Sequence, residues 1–164
     1  GPVRSDTGLM IQAQSSVANL DPSRPGTLRV VGGWGVDAAM CDRSLVEWVA
    51  AAATKVDRVA SVCCGAFILA EAGLLDGRRV TTHWREAERL AREYPAVIVD
   101  SDPIFIQDGR IWTSAGVAAG MDLALALAEV YSGEIDFNSD VQPGDEFRLV
   151  FEKATREDGQ HARR

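Results

Sequence analysis

"RVASVCCGAFILAEAGLLDGR", Arg58 to Arg78, is the stretch whose reading decides the fold. Val59, Ala60, Ser61 and Val62 form an apolar, β-branched run that ends in two adjacent cysteines and a glycine. An Ala/Leu-rich run follows at once, so the pattern is strand, tight turn, helix. Two readings of the turn stand side by side. In one, Cys63 is a chemical thiol, presented outward where the strand bends sharply into the helix. The first helical amides and the helix dipole then favour its thiolate, and Gly65 relieves the crowding of such an elbow. In the other, Cys63 is a small, inert core residue. Cys64 reads as facing the packed side, and Cys41 as packing at a helix start.

Working outward, the same alternation continues. Gly8 to Gln14 alternates apolar and polar residues like a short strand, and the stretch up to Pro25-Gly26 carries turn chemistry. "TLRVVGG" from Thr27 reads as a buried strand running into Gly32 and Gly33, with Gly35 close behind. Leu45, Trp48, Val49 and Ala52 share one face at helical spacing, with Asp42 or Ser44 as the cap. "RVTTH" is a strand ending at His83, and "WREAERLAREY" is an amphipathic helix stopped by Pro95. "AVIVD" is a further strand. Asp108-Gly109 between two β-rich runs predicts a hairpin. The segment from Ala115 to Tyr131 reads as a long helix, apolar nearly all round and so buried. Strands and helices alternating at these spacings imply a parallel α/β sheet with helices on both faces. Ligands in such sheets lie at the carboxyl ends of the strands, where the Gly32–Gly33–Trp34–Gly35 loop and the Cys63 turn both fall.

Composition limits the function. The chain has 164 residues, enough for one domain with a real core and cramped for two. A net charge of −7 argues against gripping nucleic acid, which needs clustered Lys and Arg. No apolar run approaches membrane-spanning length, and the first residues lack the apolar stretch of a signal peptide. Three cysteines, two of them adjacent, suit a reducing cytoplasm better than a disulfide framework. Two histidines and scattered cysteines give no metal-ligand spacing, and no Gly-Lys-Ser/Thr follows the glycines to form a phosphate loop. No metal or other cofactor is therefore expected.

Each remaining polar or aromatic candidate has a functional and a structural reading. The Gly32–Gly35 backbone either supplies N–H groups to a bound oxygen or merely bends the chain. His83 either acts as base or orienting partner to Cys63 or is a satisfied structural histidine. Asp37 either touches a ligand or caps a helix, and Asp122 needs a partner if it is buried. Trp34, Trp84 and Trp112 either line a pocket or fill the core. His161 lies in a charged tail and carries no signal.

"SVCCGAFILAEAGLLDGRRVTTHW", with "VVGGWG" before it and "RIWTSAGVAAGMDLALALAE" after it, resembles the ThiJ/PfpI superfamily, also called class I glutamine amidotransferase-like. Within it the likeness is to the N-terminal sensor domain of AraC-type transcriptional regulators and to isocyanide hydratase. The resemblance implies a flavodoxin-like three-layer sandwich with a mostly parallel sheet over residues 1–131, expected to lack the family's usual first strand and helix. It implies a nucleophilic Cys63 with His83 beside the pocket, and ligand contacts from Gly32, Gly33, Cys64, Trp84 and Ser114. Expected partners are a small-molecule ligand or substrate and a second copy in a homodimer, with no direct nucleic-acid contact. Three departures bear on activity. The acidic residue that normally bonds the elbow cysteine would lie in that first unit, which this sequence is expected to lack. Cys64 stands where a threonine is usual, and a thiol donates a weaker hydrogen bond than a hydroxyl. The regulators continue into a helix-turn-helix domain, which residues 132–164 are not expected to form. Residues 132–164 are expected to form an atypical tail, one strand or hairpin followed by disorder.

Overall fold

A computed structural model describes residues 2–4, 8–13, 16, 19 and 26–130. The expected tail, 132–164, lies outside the described residues. A small antiparallel pair comes first, β1 (Pro2–Arg4) against β2 (Met10–Gln12). The main sheet is built from β3 (Thr27–Val31), β4 (Arg58–Val62), β8 (Ile111–Ser114) and β7 (Phe105–Asp108), in that order. β3, β4 and β8 run parallel, and β7 returns antiparallel to β8 through the Gly109 turn. Gly109 takes φ +60°, which a glycine adopts without steric cost at this hairpin position. Among the described residues no strand covers the outer edge of β3.

β5 (Arg79–Val80) and β6 (Ile98–Val99) form a separate parallel pair. Both are shorter than the five-residue runs around them suggest. The Arg79 amide bonds the Asp108 carboxylate and the Thr81 amide bonds the Thr113 hydroxyl, so side chains from the main sheet take over where the β5 ladder stops.

The sheet separates apolar clusters on its two faces, as its alternating side chains require. Val59 and Ile111 point to one face, where Val30, Phe67, Leu69, Leu75, Val80 and Leu90 pack. Ala60 and Trp112 point to the other, against Leu123 and Leu127. On the first side lie α1 (Val36–Cys41), α2 (Arg43–Ala53) and α3 (Gly65–Glu71), with α4 (Ala87–Glu93) alongside; on the second lies α5 (Val117–Val130). This is the three-layer α/β sandwich expected from the sequence.

Local chemistry explains the helix starts. The Asp42 carboxylate accepts from the amides of Ser44 (3.0 Å) and Leu45 (3.2 Å), which caps α2 at its first unpaired donors. The Ser44 hydroxyl, donating to the same carboxylate at 2.7 Å, and those two amides hold the Asp42 carboxyl below its ordinary pKa.

Several details correct the sequence reading. Helix α1 has only six residues and was hidden by its lack of a periodic face. Its presence puts Cys41 at a helix end and in solvent rather than in packing at a helix start. Trp84 begins a short 3-10 turn, Trp84–Glu86, ahead of α4. Helix α5 is not buried all round: Met121, Asp122 and Leu125 are exposed, so Asp122 needs no buried partner.

Candidate functional site

Cys63 is where β4 stops and α3 begins. Its φ is +55°, the only positive value at a non-glycine among the described residues. That conformation costs an L-residue on the order of 1–3 kcal/mol, so the surroundings must impose it. They do so from both sides. The Cys63 amide donates to the Ser114 carbonyl at 2.9 Å, extending the β4–β8 ladder by one bond. The Cys63 carbonyl accepts from the Thr82 hydroxyl at 2.9 Å.

Two glycines let the loop after β3 lie directly on this turn. A Cβ on Gly32 would stand 2.5 Å from the Cys64 nitrogen, and one on Gly65 would collide with the Val30 carbonyl oxygen. Backbone therefore meets backbone where side chains would hold the segments apart. The Gly32 amide completes the seam by donating to the Val62 carbonyl at 2.9 Å.

The elbow presents two thiols. The sulfurs of Cys63 and Cys64 are 3.7 Å apart, and both residues are half-buried. Burial pushes the Cys64 thiol up to about 12, aided by the neighbouring Cys63 and by the Glu86 carboxylate. Cys64 is thus a protonated thiol at neutral pH, packed partly against the main core as its sequence position suggests.

The other expected residues are arranged around the elbow in different ways. His83 caps the 3-10 turn, its Nδ1 accepting from the Arg85 amide at 3.3 Å, and its ring stacks on Trp84 at 5.8 Å. A Cβ added at Gly116, just past the end of β8, would stand 4.0 Å from the ring's Cδ2 carbon. Among the described residues no hydrogen bond joins His83 to either cysteine. Trp84 is 65% exposed, with the Arg85 guanidinium over its ring. Ser114 is fully buried, and its hydroxyl donates to the Ser61 carbonyl at 3.3 Å, so it braces the floor of the elbow from below. Gly33 is exposed, and a Cβ there would meet nothing within 4 Å. Trp34, 91% exposed, neither fills the core nor lines the groove beside it, and Trp112 is a core residue.

That groove, about 510 Å³, follows the open edge of β3. Gly32 and Gly33 line it together with Val31, Val36, Leu45 and Trp48, and none of Cys63, Cys64 or His83 does. Asp37, at the start of α1, pairs with Arg89 at 2.6 Å, and Arg89 also bonds Glu93 at 2.9 Å. These carboxylates keep the guanidinium firmly charged while it lies over the Phe67 ring. The Asp37–Arg89 pair thereby ties α1 to α4 beside the glycine loop.

Sequence reasoning missed Thr82. A threonine in a strand reads as an ordinary β-former, and its bond to the Cys63 carbonyl depends on a spatial neighbour nineteen positions away. Among the described residues, no group of three or more His, Cys, Asp or Glu residues could hold a metal ion. Among those residues, too, no helix is long and apolar enough to cross a membrane.

Comparison with known proteins identifies the family and the fold. The model of the DJ-1/PfpI family matches residues 1–130. The isonitrile hydratase of Pseudomonas putida is 34% identical over 132 residues, which make up 80% of this chain and 56% of the hydratase. The HTH-type transcriptional regulator CdhR of Pseudomonas aeruginosa is 36% identical over 132 residues, 77% of this chain and 37% of the regulator. The crystal structure of a ThiJ/PfpI family protein from Pseudomonas syringae superposes with a TM-score of 0.68 at 28% identity, covering 86% of this chain and 63% of that one. The chain thus spans little more than half of the hydratase and well under half of the regulator.

Proposed function

Because the chain belongs to the DJ-1/PfpI family, we propose that it is a small-molecule-sensing domain of the kind found in AraC-type transcriptional regulators, binding its ligand at the Cys63 elbow without turning it over. One observation carries this reading: the hydrogen-bonding neighbour of the Cys63 sulfur is another thiol, Cys64, at 3.7 Å. Addition of water to a substrate needs a group that takes a proton and returns it. A thiol held protonated by burial does neither at neutral pH. Binding alone needs only the shaped edge of the sheet and its backbone donors. On this reading the domain works in the cytoplasm as a homodimer, for which Met121 and Leu125 on the outer side of α5 offer exposed apolar contacts.

A second reading is favoured by the strained φ of Cys63, since stored strain of this kind collects at reacting groups. Here Cys63 is the nucleophile of a hydratase or hydrolase acting on a small carbon–nitrogen substrate, and His83 is its acid/base or orienting partner. The Gly33 and Cys64 amides would stabilise the developing negative charge.

The two readings separate in one set of measurements. Cyclohexyl isocyanide is incubated with the chain and with Cys63→Ser, and production of N-cyclohexylformamide is followed. Sensing predicts equal, background rates; production that depends on Cys63 establishes the enzyme. In parallel, a panel of small amines, amides and carboxylates is screened for thermal stabilisation. Sensing predicts a compound whose shift survives Cys63→Ser and is lost in Trp84→Ala. Loss of the shift in Cys63→Ser, with the fold intact, overturns it.

A further inference from the structure

The adjacent thiols at the elbow can also act together as a pair of ligands, which neither reading above requires. We propose that Cys63 and Cys64 together chelate trivalent arsenicals, closing a dithiolate ring across the elbow. The inference does not depend on whether the domain senses or converts another small molecule.

The spacing is the first argument. The sulfurs stand 3.7 Å apart. A central atom with bonds of about 2.3 Å, the length of a zinc–thiolate bond, spans two sulfurs roughly 3.4–3.8 Å apart at pyramidal or tetrahedral angles. The pair is therefore set for bridging by a third atom. Direct oxidation fits less well. Neighbouring Cα atoms lie about 3.8 Å apart across a trans peptide, closer than the roughly 4.4–6.8 Å a relaxed disulfide spans.

Preorganisation is the second. Ser114 and Thr82 hold the Cys63 peptide on both sides, and Gly32 packs closely against the Cys64 backbone, so the backbone carrying both thiols is set before any ligand arrives. Both side chains remain partly open to solvent.

Electrostatics supplies the third. Two thiolates side by side in a half-buried turn, with Glu86 near, would repel. Soft thiophilic centres prefer sulfur ligands, and a trivalent arsenical takes these two as a neutral adduct. With phenylarsine oxide in its hydrated form, two arsenic–oxygen bonds break and two arsenic–sulfur bonds form. The two thiol protons leave in two molecules of water, and arsenic keeps its oxidation state. No charge is left in the turn, and no third protein ligand is required.

The test uses phenylarsine oxide on the reduced chain, read by intact mass spectrometry under native conditions. The expected result is one adduct per chain that survives excess 2-mercaptoethanol and is removed by 2,3-dimercaptopropanol. Cys63→Ser and Cys64→Ser each weaken retention by about a hundredfold or more, the gain expected of a second linked bond. Cys41→Ser leaves retention unchanged. Equal retention by Cys64→Ser overturns the proposal. So does removal of the adduct from the unsubstituted chain by the monothiol, which decides the matter even if a cysteine variant fails to fold.

Discussion

The Thr113 hydroxyl accepts a 2.8 Å hydrogen bond from the Thr81 amide, and both residues are sealed from solvent. This bond joins the β5–β6 pair to the main sheet, and it holds Thr82, the next residue, where its hydroxyl meets Cys63. Replacing Thr113 by valine keeps the shape and removes the acceptor, which strands a buried N–H. We expect a loss of about 1–3 kcal/mol, measured as a lower urea midpoint at unchanged slope. Thr113→Ser, which keeps the hydroxyl, should recover most of it. A valine variant as stable as the parent would show that the Thr81 amide has another acceptor.

Gly65 and Gly33 make opposite predictions although both flank the elbow. A methyl group on Gly65 meets the Val30 carbonyl and the Gly32 amide, backbone atoms that cannot rotate away. Gly65→Ala should cost about 1–3 kcal/mol or more through overpacking. Gly33→Ala meets open space and should stay within about 0.5 kcal/mol of the parent. Paired urea titrations decide the matter; equal effects would mean that the seam between the two loops yields.

Alkaline stability should report the half-buried Cys64 thiol. The folded chain holds the Cys64 proton more tightly than the unfolded chain does, the thiol being pushed up to about 12. Its contribution is complete below the ordinary thiol pKa and is lost as pH rises toward the folded value. Tyr94, raised by burial and by its 2.7 Å bond to Glu71, adds a loss of the same sign. The urea midpoint, measured with reductant present, should fall above about pH 9, near where an unperturbed thiol titrates. Cys64→Ala should flatten that fall and leave the part due to Tyr94. An unchanged slope in Cys64→Ala would refute burial of the thiol.

The sandwich was legible because its signals are local and repeated. The β-branched run into Cys63, the cap at Asp42 and the Asp108-Gly109 hairpin each state their element within a few residues. Helix α1 was not legible, since six residues are too few to display a period. The shortness of β5 was hidden as well: threonines at 81 and 82 suit a strand, and only the packed structure shows the Thr81 amide donating to Thr113 and the Thr82 hydroxyl to the Cys63 carbonyl. At the elbow, residue types announced a turn with a thiol. Whether His83 faces that thiol is a question of orientation, and its Nδ1 is already occupied by the Arg85 amide. Trp34 shows the limit in the other direction, because an aromatic in a glycine loop looks like lining and projects into water instead.

The crossing at Gly32 and Gly65 separates what can vary at this elbow from what cannot. Main chain already presses on main chain there, so the location of residue 64 is set by two absent side chains rather than by its own. Its chemical character is then an exchangeable part: hydroxyl, thiol or methyl can be seated at one address without rebuilding the turn. A lineage could change what the elbow presents by a single replacement at that address, while the scaffold beneath keeps its form.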